Sequence, residues 1–336
     1  MRLYLYFTII SFSVILISCQ KQEITNYNGE LPIYAEGYLE SGGYAVLHLS
    51  NTMDLSILRD EYYAQDSSIE VYSKFNLHAI LLKDGIIVDS LTGPIKSTSQ
   101  GPIYYSRDHW WYLHGNSHIV EPGGNYQMVI KRTGHPDIIA NCIVPNKVDF
   151  QIIDTIDNIK DRIYSPEDSP DSIGKRYYFN PMKIRIQFTD PSSQMNYYKI
   201  ECFGIYRKST ILNNIRLNGW HEFAIDDIPL FEGHVIISDK MYIPESCFFN
   251  DKLFNGKTQS VDIYCRNILD SLISIRFYNI TGDYYKRLKS SYLFEKAQID
   301  RYSTPVQIYG NFTNALGFLA GCTISTINLN IRLNYY

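Results

Sequence analysis

The segment from Asp108 to His118, DHWWYLHGNSH, is the one unusual constellation of chemically capable side chains in this 336-residue chain. It contains two of the three tryptophans and three of the eight histidines. Imidazole nitrogens bind transition metals and haem iron, whereas large rigid rings bind protein partners or sugars. The candidates for a partner- or ligand-binding loop are His109, Trp110, Trp111, Tyr112 and His114.

Three interpretations of this segment compete. A metal site would use its three histidines, but their spacing matches no standard ligand pattern, and no cysteine or carboxylate completes the set. A recognition loop would present the three neighbouring rings to a partner. In the third interpretation the rings close one end of a β-sandwich. Core packing is favoured, and no metal ligand is predicted.

The rest of the chain offers no catalytic set. It has no glycine-rich phosphate loop, no nucleophile elbow and no His-Glu-x-x-His pattern. The carboxylate pairs Asp226-Asp227 and Glu167-Asp168 are adjacent in sequence, which points the two side chains to opposite faces of a strand. We therefore predict a non-enzymatic protein without a cofactor. An enzyme with an unrecognised site ranks last.

Charge and cysteine spacing argue against several further classes of protein and of site. A formal net charge of -4 argues against nucleic acid as a partner. Six cysteines occur without any C-x-x-C spacing, which argues against a zinc knuckle or a thioredoxin-like site. Apart from Cys19, the cysteines are Cys142, Cys202, Cys247, Cys265 and Cys322. We interpret most of these five as buried small hydrophobic residues, and whether any of them form a disulfide is left open.

The N-terminal segment predicts a lipid anchor. Apolar character from Leu3 to Ile17 is too short to cross a membrane, which takes about 20 residues. The sequence Leu16-Ile17-Ser18-Cys19 resembles a bacterial lipobox, in which an aliphatic residue and a small residue precede the thiol that is acylated. We predict a signal peptide over residues 1–18, lipidation of Cys19, and a solvated tether over residues 19–30. An ordinary secretory signal is the alternative.

Alternating apolar and polar residues predict paired strands over residues 31–146. Residues 77–83 and 86–91 flank Asp84-Gly85, a dipeptide that supplies the positive φ of a two-residue hairpin turn. Residues 33–39 pair with 44–50, and residues 125–131 pair with 137–144. Six or seven short strands with regular turns predict an immunoglobulin-like β-sandwich.

A polar connection is predicted for residues 147–175, because its acidic residues and prolines leave too few apolar residues for a core. These acidic residues also lack the spacing of a calcium loop. Residues 176–336 are predicted to form a second, β-rich domain. Its predicted strands cover residues 182–188, 197–206, 233–238, 260–265, 272–278, 305–309 and 317–333.

One segment of this second domain predicts a helix. Tyr285, Leu288 and Tyr292 recur at three- and four-residue intervals, and Thr281 is a good N-terminal capping residue. Cations fill the outer face. The pattern over residues 281–297 is typical of an amphipathic helix that lies on a sheet.

Several short motifs resemble a known family. They include PGGNY from Pro122, FTD from Phe188, DKLFNGK from Asp251 and NALGF from Asn314. Together they resemble the lipoprotein family called domain of unknown function 4249, over nearly all of the chain after the signal segment. The resemblance implies an outer-membrane lipoprotein of Gram-negative bacteria, often encoded beside a TonB-dependent receptor. It implies no catalytic residues.

Two classes of function stay open. The first is a binding or accessory lipoprotein that works with a TonB-dependent receptor. The second is a surface-structural or adhesive lipoprotein that contacts a host polymer or another envelope protein. In both classes, the lipid on Cys19 holds the protein on the outer membrane. Whether the protein faces the periplasm or the cell surface is left undetermined.

Overall fold

The structure is a computed structural model that describes most of the chain. The predicted signal peptide, Cys19 and the tether lie outside the described residues. The described ranges are residues 33–51, 77–96, 111–156, 182–192, 194–206, 211–212, 215–216, 222–225, 233–234, 246–266, 271–299, 304 and 306–331.

These residues are mainly β-strands, with one helix among them. The strands are β1 (Ile33–Glu40), β2 (Tyr44–Asn51), β3 (His78–Lys83), β4 (Ile86–Lys96), β5 (Trp111–Ile119), β6 (Asn125–Lys131), β7 (Ile138–Ile143), β8 (Phe150–Ile156), β9 (Met182–Thr189), β10 (Tyr197–Tyr206), β11 (Ile211–Leu212), β12 (Ile215–Arg216), β13 (Glu222–Ile225), β14 (Gly233–His234), β15 (Ser246–Asn250), β16 (Thr258–Arg266), β17 (Ser271–Ile280) and β18 (Leu316–Ile331). The helix α1 (Gly282–Ile299) lies between β17 and β18. The predicted fold class, mainly β with one helix in the C-terminal part, is confirmed.

Two sheets contain nearly all of these strands. A twelve-stranded sheet has the order β14-β15-β10-β17-β18-β1-β2-β5-β4-β3-β6-β7, and a four-stranded sheet has the order β13-β16-β9-β8. β18 joins the two halves of the large sheet. Its residues 316–322 pair in parallel with β1, and its residues 322–331 pair antiparallel with β17. The first and the last described strands are therefore neighbours.

The N-terminal core forms where the large sheet folds back on itself. A Cβ on Gly37 of β1 would lie 2.7 Å from Leu319 on β18 and 3.3 Å from Met128 on β6, so β6 packs directly over β1. The sandwich-like arrangement fits the fold class predicted for residues 31–146. The largest aliphatic contributors are Ile33, Leu39, Leu47, Leu49, Leu81, Ile130 and Ile138.

Turn chemistry fixes the β3–β4 hairpin of this half. Asp84 and Gly85 have φ angles of 50° and 82°, the positive values that the Asp-Gly dipeptide predicts. The hairpin register that follows pairs Lys83 with Ile86. This prediction is confirmed.

The C-terminal core is a sandwich of the four-stranded sheet on one part of the large sheet. Side chains of β8, β9 and β16 face those of β10, β15 and β17 across it. Many of them are aromatic, because strands accommodate flat rings well. The buried rings are Phe150, Phe188, Tyr198, Phe249, Phe254 and Phe277.

Helix α1 covers the opposite face of the large sheet, as predicted. The backbone N–H of Tyr284 donates to the Thr281 hydroxyl at 3.2 Å, which is the expected N-terminal cap. Tyr284 and Tyr285 are buried against the sheet, with Leu288 and Tyr292 packed beside them. In the part of the chain that the structure describes, no helix has both the length and the apolarity needed to cross a membrane.

Two local predictions were wrong. Phe150–Ile156, assigned by sequence to a polar connection, form β8, because they pair along β9. Residues 306–309, predicted as a strand, have no strand partner and run beside α1. Cys142, Cys202, Cys247 and Cys322 are buried and form no disulfide, as the interpretation of most cysteines predicted. The division of the chain into separate domains stays a prediction.

Candidate functional site

The described part of the predicted binding segment is a strand. His109 and Trp110 lie outside the described residues, whereas Trp111 and Tyr112 begin β5 and His114 lies within it. β5 is an inner strand of the large sheet, between β2 and β4. Burial lowers the pKa of His114, whose side chain is half-buried. The strand is a correction to the loop prediction, and the binding role of these residues stays a prediction.

A carboxylate holds an irregular stretch of this strand. Between β2 and β5 the register jumps from Val46 opposite His114 to Tyr44 opposite Ile119. Asp89 of β4 is buried and accepts backbone N–H groups from this stretch, which satisfies donors that the sheet cannot pair. The donors and distances are Asn116 at 3.3 Å, Ser117 at 3.2 Å and His118 at 3.1 Å.

The last histidine of the segment also serves the fold. His118 Nε2 lies 3.0 Å from the Tyr126 hydroxyl, which in turn accepts the backbone N–H of Glu121 at 2.8 Å. The carboxylate of Glu121 pairs with Lys83 at 2.5 Å. Sequence reasoning placed His118 in a candidate metal set, but within the described ranges no group of three or more histidine, cysteine, aspartate or glutamate side chains is arranged to hold a metal.

Sequence reasoning missed a buried charged cluster where the two halves of the large sheet meet. This junction cluster consists of Glu40, Lys199, Glu201, Tyr278 and Tyr284. Lys199 forms an ion pair with Glu201, which also accepts the Tyr278 hydroxyl. The Lys199 ammonium lies 5.0 Å and 5.9 Å from the ring centres of Tyr278 and Tyr284, within cation–π range.

The junction cluster favours the charged form of Lys199 and disfavours that of Glu40. Burial opposes the charged form of Lys199, but Tyr284 and Glu201 favour it, and the pKa of Lys199 is raised. Burial raises the pKa of Glu40, against the opposing charge of Arg276. A sequence signal did exist, since Lys199 and Glu201 are two residues apart in a segment predicted to be a strand, which places both side chains on one face. The cluster is suited to holding α1 and the sheet together.

A second missed group, the loop clamp, consists of Asp190, Asn196 and Asp251. The Asn196 amide Nδ2 lies 3.2 Å from Asp190 Oδ1 and 3.3 Å from Asp251 Oδ2. Tyr198 donates its hydroxyl to Asp190, and the Gly256 N–H donates to Asp190 Oδ2 at 2.7 Å. Burial raises the pKa of Asp251, whose Oδ1 has no hydrogen-bond partner among the described residues. The clamp brings the FTD and DKLFNGK motifs together.

An open groove runs between α1 and residues 306–310. Its volume is about 480 Å³. The backbone N–H of Tyr309 donates to the Ser290 hydroxyl at 2.8 Å, and the Tyr309 carbonyl accepts from Arg287 at 3.4 Å. These bonds fix one end of the segment against the helix. The groove is lined by Lys286, Lys289, Ser290, Leu293, Val306, Gln307, Ile308, Tyr309 and Gly310.

An apolar surface lies at one end of the N-terminal half, which we call the turn end. Three turns meet there, because the Gly42 N–H donates to the Val120 carbonyl at 2.8 Å and the Asp84 N–H donates to the Asn125 carbonyl at 3.0 Å. Large exposed apolar side chains at one place are typical of binding surfaces. Those at the turn end are Tyr44 (48% exposed), Ile86 (70%), Ile87 (61%) and Ile119 (53%).

Sequence comparison assigns the family. The model of the family described as domain of unknown function (DUF4249) matches residues 25–328. The chain belongs to the DUF4249 family. The motifs that suggested this family include the two that meet in the loop clamp. No curated protein sequence matches this DUF4249 chain.

Solved structures offer only weak similarity to this DUF4249 protein. A protein of Corynebacterium diphtheriae described as membrane-anchored is 9% identical with a TM-score of 0.19, covering 74% of this chain and 54% of its own. The chain thus spans about half the length of that protein. The Danio rerio Fcho1 mu homology domain with a bound Eps15 peptide is 7% identical with a TM-score of 0.18, and the match covers 88% of this chain and 94% of that domain. Extracellular domains 3–5 of Drosophila OTK are 11% identical (TM-score 0.16, 74% and 91% covered).

Proposed function

We propose that this DUF4249 protein is a lipid-anchored, non-enzymatic binding component of the outer membrane that works with a TonB-dependent receptor. The observation that carries the proposal is the turn end, where four large apolar side chains are exposed close to three connected turns. Such side chains lose contact with water when a partner covers them, which favours association. The turn end is therefore the proposed docking surface.

Two sequence features support the membrane part of the proposal. The lipobox-like Leu16-Ile17-Ser18-Cys19 provides a thiol for acylation, and the family resemblance implies an outer-membrane lipoprotein. Ile33 lies fourteen positions after Cys19, so a fully extended tether would reach up to about 50 Å from the lipid to the sheet. A tether of this length lets the folded part reach a neighbouring receptor.

The distribution of polar groups supports a binding role. The groups with shifted pKa values lie in the junction cluster and in the loop clamp. Within each cluster these groups contact one another inside the fold, where they stabilise the sheet, the helix and the loops. The exposed apolar groups, by contrast, have no such partners within the turn end. A binding component needs this division between a rigid interior and an available surface.

The test is a pull-down of the tagged, full-length lipoprotein from its own envelope in mild detergent, read by mass spectrometry. One double variant, Ile86→Asp with Ile119→Asp, alters the turn end, and a second, Trp110→Ala with Trp111→Ala, alters the predicted binding segment. Leu253→Asp is the matched control, because Leu253 is equally apolar and 68% exposed on another loop.

We expect a TonB-dependent receptor to copurify with the unaltered protein and the control, and to be lost with the turn-end variant. Loss with the tryptophan variant alone would move the docking surface to the predicted segment. Absence of any barrel receptor from every sample would contradict the proposal. Cys19→Ala, read by acyl labelling, tests the anchor separately, and normal processing of that variant would rule out lipidation at Cys19.

A further inference from the structure

The segment beside α1 carries backbone groups without partners. In the described part of the chain, no hydrogen bond involves Val306, Gln307 or Ile308. The next residue, Tyr309, is by contrast bonded through both its N–H and its carbonyl. The sequence VQIY has the alternation of a strand, yet these residues have no strand partner. Such a segment is a template for the addition of another strand.

The groove beside this segment has a defined chemistry. Leu293, Val306 and Ile308 supply apolar walls, while Lys286 and Lys289 supply positive charge. The Lys286 side chain is more than half exposed, even though its ammonium lies 3.1 Å from Asp283. Over this stretch α1 carries more cations than anions, although the whole chain has a net charge of -4. The local charge therefore favours an anionic occupant.

We propose that the groove binds an acidic, extended peptide segment of an envelope partner, which adds as a strand to residues 306–308. Main-chain hydrogen bonds to Val306, Gln307 and Ile308 would supply affinity, and alternate side chains would face the apolar walls. Carboxylates on the other side chains would lie beside Lys286 and Lys289. The inference deepens the proposed binding function and rests on it only for the source of the peptide.

A lipid headgroup is a weaker candidate for the same groove. A phosphate and an acyl chain would use the lysines and the apolar walls, but they would leave the backbone groups of residues 306–308 without partners. Only an extended peptide matches both the charge and the backbone. Binding that depends on peptide N–H groups therefore distinguishes the two occupants.

The experiment uses the full-length chain in detergent and a fluorescein-labelled octapeptide of alternating glutamate and valine, followed by fluorescence anisotropy. We expect saturable binding that Lys286→Gln with Lys289→Gln weakens about tenfold, the factor expected from two solvent-screened charge contacts. Asp283 keeps its hydrogen bonds from Tyr309 and Asn311 in that variant, so the fold should persist. Equal thermal transitions would check this.

The control variant is Lys252→Gln with Lys257→Gln, which removes the same charge from an exposed loop. It should bind the peptide as the unaltered protein does. Two further probes test the mode of binding. A peptide with alternate amides N-methylated should lose affinity, because it cannot donate to the carbonyls of residues 306–308. A peptide of alternating lysine and valine should not bind.

Several outcomes would overturn the inference: no binding of the acidic peptide, equal weakening by the control variant, or undiminished binding of the N-methylated peptide. Cosedimentation with phosphatidylglycerol vesicles that the groove variant alone loses, without peptide binding, would assign the groove to lipid. A receptor that still copurifies while the peptide fails to bind would leave the proposed function standing. Peptide binding without copurification of any receptor would leave the groove inference standing and contradict the proposed function.

Discussion

The two cores of the molecule are built from different side chains. The N-terminal core is mostly aliphatic, with leucine, isoleucine and alanine from β1, β2, β3, β6 and β7. The C-terminal core is centred on rings, and Phe188 lies 4.5 Å from Phe277 and 5.2 Å from Tyr198, measured between ring centres. Aliphatic side chains adapt their rotamers to a neighbour, whereas rings prefer particular angles. The C-terminal core should therefore tolerate fewer changes of shape.

Each core also contains one fully buried tyrosine, used in opposite ways. The Tyr126 hydroxyl accepts the N–H of Glu121 at 2.8 Å, so it serves a backbone donor. The Tyr198 hydroxyl donates to the carboxylate of Asp190. The same residue type thus satisfies a turn in one half and a buried acid in the other.

The largest predicted effect tests the ring core. Phe188→Ala should lower the free energy of unfolding by about 4 kcal/mol, since it removes ring contacts and leaves a cavity. Leu47→Ala in the aliphatic core should cost about 3 kcal/mol. Urea unfolding followed by circular dichroism measures both.

Milder changes of shape sharpen the same contrast. Phe188→Leu should cost about 2 kcal/mol and Leu47→Met about 1 kcal/mol, because the aliphatic core can repack around an unbranched chain. Equal losses for the two would show that ring geometry does not matter.

Acid should weaken the N-terminal half through His48. Burial lowers the pKa of His48 from 6.5 to about 4, so the unfolded chain takes up a proton before the native state does. The contribution of neutral His48 to the free energy of unfolding is therefore fully present above pH 6.5. It is lost as the pH falls to about 4, which lowers the free energy of unfolding by about 3 kcal/mol. His48→Gln should lack this part of the pH dependence in urea unfolding.

Asp251 gives the stability of the C-terminal half the opposite dependence on pH. Burial raises its pKa, so the native state keeps this proton at a higher pH than the unfolded chain does. This contribution to stability therefore grows as the pH falls through the raised pKa. Hydrogen exchange resolved by strand should show acid loosening β2 before β10, and the reverse order would contradict the contrast.

A smaller effect is expected where a carboxylate serves backbone donors. Asp89→Asn should cost about 2 kcal/mol, because an amide offers one acceptor oxygen and turns an NH₂ group towards N–H donors. The matched control is Asp154→Asn at an exposed position of β8, which should change stability by less than about 0.5 kcal/mol. Thermal unfolding of both variants gives the comparison, and an equally small loss would mean that other groups hold the β5 irregularity.

Small effects on stability are also expected at the two buried tyrosines. Tyr198→Phe should cost about 1.5 kcal/mol, because it removes a hydrogen bond to a charged acceptor, and Tyr126→Phe should cost about 1 kcal/mol. Urea midpoints measure the difference. A larger loss for Tyr126→Phe would reverse the assigned roles.

Local patterns predicted the elements whose signals lie within a few residues. The β3–β4 hairpin follows from Asp84-Gly85, and the start of α1 follows from Thr281 and the spacing of Tyr285, Leu288 and Tyr292. Strand β10 begins and ends at the residues predicted. In each case the turn, cap or alternation is a property of the segment itself.

Predictions failed where structure depends on distant residues. β8 pairs along β9, although the acidic residues and prolines that follow it led its segment to be assigned to a polar connection. Residues 306–309 lack a strand partner despite a strand-like sequence. The burial of Lys199 depends on α1, which lies some 80 residues further along the chain. The candidate binding segment gave no sign that Asp89 would hold its backbone, because that contact spans two strands.

The parallel pairing of β1 with β18 has a consequence for how the chain is made. Tyr34 leaves the ribosome long before its partner Leu316. At about 5–20 residues per second, translation of the intervening chain takes roughly 15–55 s. During that interval one edge of β1 lacks its native neighbour and is open to other strands. The nascent protein therefore needs protection at this edge until β18 arrives, and truncation before Leu316 should leave the N-terminal half prone to aggregation.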